Sequence, residues 1–169
     1  MARLFKLEDS FLVATEYVAT EALQDALVLL YQRQDGMISG AVINKPDNRK
    51  VKDYLAHPKL LSNHPVWFGG PLSPDRLIAI SHSKQGLFVT DRLVNLTQEH
   101  LSNCLIVAGQ CVWREEVLQE QIEQGAWLVV ANNDLPLSMP ASNRINYVMQ
   151  QAGWSRSRYI PRLNTADCV

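Results

Sequence analysis

Along the chain, apolar residues gather in runs of four to six, separated by glycine, proline and acidic or amide side chains. Runs this short, bounded by turn residues, are what buried strands look like. Phe11-Leu12-Val13-Ala14 is the first predicted strand, and Glu21 to Asp25 after it carries helix formers over too short a span for a full helix. Ala26 to Tyr31 and Met37 to Ile43 flank Asp35-Gly36. That dipeptide is suited to a two-residue hairpin turn whose glycine accepts positive φ, so the two flanking runs pair antiparallel. Lys45-Pro46 closes the returning strand, since proline holds the preceding residue extended and donates no ladder hydrogen bond. The polar stretch Asn44 to Arg49 is expected as a loop.

Further on, a short helix is predicted over Val51 to Leu55, stopped by His57-Pro58. Strands are predicted at Pro65 to Phe68, Leu77 to Ser81, Leu87 to Thr90 and Leu93 to Leu96, with turns at Gly69-Gly70-Pro71 and Gln85-Gly86. Thr97 is placed to cap a helix ending near Cys104, and Leu105 to Ala108 follows as a strand ending at Gly109-Gln110. Glu115 to Gln124 is predicted helical with Val117, Leu118 and Ile122 on its buried face, and Gly125 terminates it. After the strand Trp127 to Val130, the clearest period in the chain appears. Pro140 opens a helix in which Ile145, Val148, Met149 and Ala152 recur at i, i+3, i+4 and i+7, and Gly153 ends it. Strands joined by tight turns cannot be parallel, so the expected class is α/β of the α+β type, with a mixed sheet and short helices.

Composition adds bounds. At 169 residues with 47% hydrophobic and 20% charged side chains, the chain is expected to form a single domain spanning 1–169. The segment 154–169 is expected to be a loosely packed C-terminal tail. A net charge of -1 gives no global field toward nucleic acid or anionic lipid. Three cysteines without a CxxC pair suit reduced thiols, and the charged N-terminus lacks the apolar stretch of a signal peptide, so a cytoplasmic location is expected and no membrane association.

Candidate chemistry is sparse. His57, His64, His82 and His100 form none of the spacings that hold a metal, so neither a metal nor a cofactor is expected. No G-x-S-x-G, G-x-x-x-x-G-K or G-x-G-x-x-G string occurs. A thiol enzyme would need Cys104 or Cys111 beside His82 or His100; Cys104 reads as a buried small hydrophobe, and Cys111, at the expected strand end, as the exposed thiol. Between Trp154 and Arg162, the aromatics interleave with Arg156, Arg158 and Arg162, and Tyr159 lies among them without an acid, a pattern able to stack bases and grip phosphates.

Several strings, in order, resemble the YqgE/AlgH family of bacterial proteins. Phe11 to Thr15 is similar to the family's opening strand, and Gly40-Ala41-Val42-Ile43-Asn44-Lys45-Pro46 to its G-x-V-I-N-R-P turn, with Lys45 in place of arginine. Val66-Trp67-Phe68-Gly69-Gly70-Pro71-Leu72 resembles its aromatic-G-G-P-V, His82-Ser83 its L-H-S, and Gly125-Ala126-Trp127-Leu128 its G-A-W-L. Two places depart from the pattern: Glu16 and Thr20 stand in an opening segment that usually carries proline and aspartate, and Cys111 to Gln119 keeps only Trp113 and Leu118 of an A-G-W-x-x-G-Q-L-E loop, which stiffens it. The resemblance implies a mixed sheet with a small barrel-like core surrounded by short helices, a role as a transcriptional regulator, and no established reaction. Together with the turn chemistry, it makes Asn44, Lys45, Pro46, Gly69, Gly70, Pro71, His82 and Trp113 the expected surface for a small molecule or protein partner. Two alternatives stand beside that non-enzymatic binding role: direct nucleic-acid binding through Trp154 to Arg162, and a small hydrolase or thiol enzyme.

Overall fold

The computed structural model describes residues 10–83, 85–131 and 134–153. Arg156, Arg158, Tyr159 and Arg162, with the rest of the expected tail, lie outside the described residues. The strands are β1 (Ser10–Ala14), β2 (Leu27–Gln34), β3 (Met37–Val42), β4 (Pro46–Lys50), β5 (Pro65–Phe68), β6 (Leu72–Ser83), β7 (Gly86–Thr90), β8 (Cys104–Arg114) and β9 (Trp127–Ala131). The α-helices are α1 (Gln98–Leu101), α2 (Glu115–Glu123) and α3 (Ala141–Gln151). No helix among the described residues is long and apolar enough to cross a membrane.

The strands form one sheet in the order β4-β5-β8-β3-β2-β1-β9, and β6 pairs with β8 and β7 off this path. Parallel pairing occurs between β5 and β8, and the remaining pairs described are antiparallel, so the sheet is mixed as expected. It does not close into a barrel, because β4 and β9 end the path unpaired to each other. Asp35 and Gly36 both take positive φ, at 53° and 74°, and join β2 to β3 as the hairpin chemistry requires.

Most strands are apolar on both sides because both faces of the sheet are covered. Phe11, Val13, Leu27, Leu29, Ile78, Ile80, Leu105 and Val107 pack with Ile145, Val148 and Met149 of α3. Their alternating neighbours point the other way, Leu12, Val28 and Leu30 toward Leu118 of α2, and Leu77, Ala79 and Ile106 toward Val51, Leu61 and Leu93 under the short 3-10 turns. On β8 the alternation changes phase at Gly109. Before it, Leu105 and Val107 face α3; after it, Cys111 and Trp113 lie in the opposite cluster, although an unbroken strand would keep all four on one face. The left-handed φ of +84° at Gly109 inserts the half-step that makes this reversal.

Gly69-Gly70-Pro71, expected as a simple turn, is where the chain crosses β8. β5 lies alongside β8 through Trp67↔Val107 and Phe68↔Ala108, whereas Leu72, only four residues beyond Phe68, pairs with Gln110 as the start of β6. A Cβ on Gly69 would stand 2.3 Å from Gly109 O, one on Gly70 2.3 Å from Gln110 O, and one on Gly109 2.2 Å from Gly70 O. Only glycines let two backbones pass this closely.

Four expectations are corrected. Within Asn44 to Arg49, Pro46–Lys50 is the strand β4 and not loop, its proline at the first position of a strand that ends the sheet. Leu93 to Leu96 is not a strand but a 3-10 turn over Leu93–Asn95 that buries Leu93 alone of the three. β8 does not end at Gly109-Gln110 but continues to Arg114. The helix faces also differ in detail: Val117 is 39% exposed, while Leu118 is fully buried and Ile122 is packed against the core, and Ala152 lies on the outside beyond α3.

The crossing predicts a sharp contrast between two glycines. Gly109→Ala is expected to lower unfolding stability in urea by about 3 kcal/mol or more, since it combines a left-handed backbone with a backbone clash. Gly36→Ala, equally left-handed but with open space around its Cβ, is expected to lose only about 1 kcal/mol.

Candidate functional site

The polar side chains singled out by the turn chemistry are bonded to the backbone of the 22–27 segment. Asn44 Oδ1 accepts from Leu27 N at 2.9 Å, and Asn44 Nδ2 donates to Asp25 O at 2.9 Å. The side chain thereby closes the turn before β2, in which Asp25 itself has a left-handed φ of 57°. Lys45 Nζ donates to Ala22 O at 2.9 Å, in the same turn. Phe68 N donates to Lys45 O at 2.9 Å, and Val42 N to Gly69 O at 2.7 Å. Asn44, Lys45, Pro46, Gly69, Gly70 and Pro71 are therefore brought together around the crossing, and the polar side chains among them hold the 22–27 segment.

His82 and Trp113 are not brought to the same place. His82 is exposed near the end of β6, opposite Leu87 of β7, roughly 20 Å along the sheet from Leu72. Trp113 is 9% exposed and packs edge-on against Trp127 at 5.8 Å between ring centroids. Its ring fills the core on the α2 side.

A residue to which the sequence drew no attention fastens the region. Arg144 on α3 is 3% exposed and faces no described carboxylate in an ion pair. It donates to Leu137 O at 3.1 Å, to Met139 O at 3.2 Å and to Ile43 O, and its guanidinium lies 4.6 Å above the Trp67 ring. Carbonyl dipoles and an aromatic face replace water around the cation, while burial pulls its pKa below the usual arginine value. α3, β5 and the end of β3 are thereby clamped beside the crossing.

The same face of the sheet opens into a cleft of about 520 Å³ where α3 no longer covers it. Tyr31, Gln32, Ser39, Gln110, Arg76 and Asp91 supply its polar lining, over Ile78 and Val89. Gln110 points here because of the phase reversal at Gly109, and Tyr31 Oη donates to Gln110 Oε1 at 2.9 Å. That bond uses the Gln110 amide oxygen, so the two N–H donors of the amide nitrogen are not consumed by it. Burial pushes the Tyr31 phenol up to about 12, partly offset by Arg76, so it remains a protonated donor through the neutral range.

Arg76 is placed by a large bulge. Between Leu72↔Gln110 and Leu77↔Ala108 the register moves five residues on β6 for two on β8, and Ser73 takes a left-handed φ of 48° within it. Arg76 is ion-paired to Asp91, the two side chains being 53% and 45% exposed, and the guanidinium holds the Asp91 carboxyl below the ordinary carboxylate range. A second cleft of about 530 Å³, lined by Leu55, Ser73, Pro74, Asp75 and Leu77, lies on the other side of this pair. Arg76 and Asp91 border both.

The two described thiols have the opposite character to a nucleophile. Cys111, expected at an exposed strand end, is buried in the middle of β8 with its Sγ 3.8 Å from Gly69 O, and burial pushes its pKa up to about 12. Cys104 is raised to about 11 for the same reason. Among the described residues, no three His, Cys, Asp or Glu side chains gather in a metal-holding group.

A model of the AlgH-like family matches residues 11–157. A UPF0301 protein of Erwinia tasmaniensis is 27% identical over 164 residues, covering 82% of this chain and 87% of that protein. A UPF0301 protein of Streptomyces avermitilis is also 27% identical, covering 86% of each chain. In fold, the chain resembles the AlgH protein of Pseudomonas aeruginosa, solved in solution, with a TM-score of 0.72 at 19% identity over 100% of this chain and 99% of the other. A crystal structure of a Corynebacterium diphtheriae protein superposes with a TM-score of 0.64 at 20% identity, over 89% and 90% of the two chains.

Two measurements check the roles assigned here. Asn44→Ala is expected to cost about 1–3 kcal/mol in chemical denaturation, because it strands the Leu27 N–H and the Asp25 carbonyl, whereas Lys45→Ala, on a surface amine, is expected to cost under about 0.5 kcal/mol. At pH 8, alkylation of Cys111 is expected only when denaturant is added, since burial blocks access and a pKa near 12 leaves about one thiolate in ten thousand.

Proposed function

The chain belongs to the AlgH-like family, and we propose that it acts as a non-catalytic regulatory binding protein whose small-molecule ligand occupies the cleft between Tyr31, Gln110 and Arg76. The observation that carries this reading is the composition of the cleft. Its volume suits a small metabolite, apolar Ile78 and Val89 sit beneath it, and a few half-buried donors and acceptors converge above. The Tyr31–Gln110 pair fixes two of those groups before any ligand arrives, which lowers the ordering cost of binding. Both described thiols are disfavoured as thiolates, which supports recognition over nucleophilic chemistry.

The surface of Asn44, Lys45 and the glycine crossing borders the other end of β3, and its hydrogen bonds favour a scaffolding part in the same function. Ligand binding between β2, β3, β6 and β8 would tie together strands that meet across the bulges at Gly109 and Ser73, which gives a regulator a way to stiffen one face of the sheet for a partner.

A thermal-shift panel of nucleotides, phosphorylated metabolites and amino acids tests the proposal. A ligand at about a hundred times its Kd adds roughly 2.7 kcal/mol and is expected to raise the Tm by several degrees. The shift is expected to disappear in a Tyr31→Phe, Gln110→Ala double variant that keeps its own cooperative melt. A shift retained in that variant, or none with any compound, would overturn the assignment.

A further inference from the structure

The Arg76–Asp91 pair separates the two clefts and is accessible from both. With both side chains about half exposed, water screens the pair and its net contribution to stability is small, so either partner can be given up to a ligand at little cost. Its composition restricts what that ligand can be. A lone anion would gain the guanidinium but lose attraction to the whole site, because Asp91 touches the same guanidinium and Asp75 lines the second cleft. A lone cation would gain Asp91 and meet Arg76. A molecule carrying one carboxylate and one ammonium on neighbouring atoms satisfies both at once.

We infer that the junction of the two clefts is a site for the charged head of a free α-amino acid, with Arg76 receiving the carboxylate and Asp91 the ammonium. The inference rests on the cleft being the ligand site, and it names the ligand class. Arg76 and Asp91 are already in contact, so their outward-facing groups are separated by about the span of a guanidinium beside a carboxylate. In an α-amino acid both charges hang from one carbon and match that spacing, whereas in a peptide the termini are held several ångströms further apart with each added residue. The guanidinium presents two parallel N–H groups to a carboxylate, a stronger arrangement than the single contact a lysine would offer. Gln110 and Ser39 stand within the polar cleft to receive a hydrogen-bonding side chain, and Leu55, Pro74 and Leu77 line the neighbouring one. The bulge at Ser73 to Arg76 is what lifts the guanidinium out of the ladder to this position.

Isothermal titration calorimetry of the full chain with each free L-amino acid, its N-acetyl and amide derivatives, and inorganic phosphate tests this. At least one free amino acid is expected to bind, with both blocked derivatives weaker by tenfold or more. Asp91→Asn and Arg76→Gln, each verified as folded by its melting curve, are expected to weaken the free amino acid tenfold or more. Equal binding of the N-acetyl derivative, or tighter binding to Asp91→Asn, would show an anion site and overturn the inference. So would phosphate or a nucleotide giving a shift sensitive to Tyr31 and Gln110 while no amino acid binds, an outcome that leaves the cleft itself as the binding site. No binding by any compound in either assay overturns both.

Discussion

The architecture depends on two backbones crossing at glycine. β8 pairs with β5 and then β3 on one side and with β6 on the other, and the chain leaving β5 must pass across it within four residues to begin β6. That passage is possible because Gly69, Gly70 and Gly109 bring carbonyl oxygens to within 2.2–2.3 Å of where side chains would otherwise begin. The same glycine that makes room also reverses which face β8 presents. The long strand thus serves one core with its first half and the opposite core with its second, and Gln110 is delivered to the cleft as a by-product of the geometry.

Around that point, charge is handled in two different ways. Arg144 is buried, held by three carbonyls and a tryptophan face, and acts as a fastener that water cannot compete with. Arg76 is exposed, held by one carboxylate, and exchangeable. Identical side chains on opposite ends of one sheet face therefore differ in availability, and the difference comes from whether α3 covers them. A structural arginine and a ligand-facing arginine cannot be told apart by residue type.

What could be read from the sequence follows from how local its cause was. β1, β2, β3, β5, β7, β9 and α3 carry their own signal, an apolar run bounded by turn residues or a 3.6-residue period, and they form where expected. β4 was illegible because Pro-Asp-Asn-Arg-Lys has no apolar alternation; it is a strand only because β5 lies beside it. Leu93 to Leu96 reads as a strand because three apolar residues in four cannot show a period, and in the fold Leu93 is buried, Leu96 packs partly beside it and Val94 faces out. Gly69-Gly70 stands out in the sequence, but its reason is a crossing with Gly109 forty residues away, and Asn44 answers to a different one, the turn at Asp25 to Leu27. The cleft had no sequence mark at all: Tyr31, Arg76, Asp91 and Gln110 come from four segments, and two bulges decide that they meet.

The position of β8 also bears on how the chain is born. β8 occupies the middle of the sheet yet is made from residues 104–114, and β1, the first of the described strands, needs β9 at residues 127–131 as its second neighbour. At ribosomal speeds of roughly 5–20 residues per second, the hairpin of β2 and β3 and the apolar strand β1 emerge several seconds before the strand that will join them to the rest. During that interval, Leu27 to Leu30 and Phe11 to Val13 lack the elements that cover them in the fold, so the nascent segment keeps apolar strands uncovered until residues 104–151 have been made.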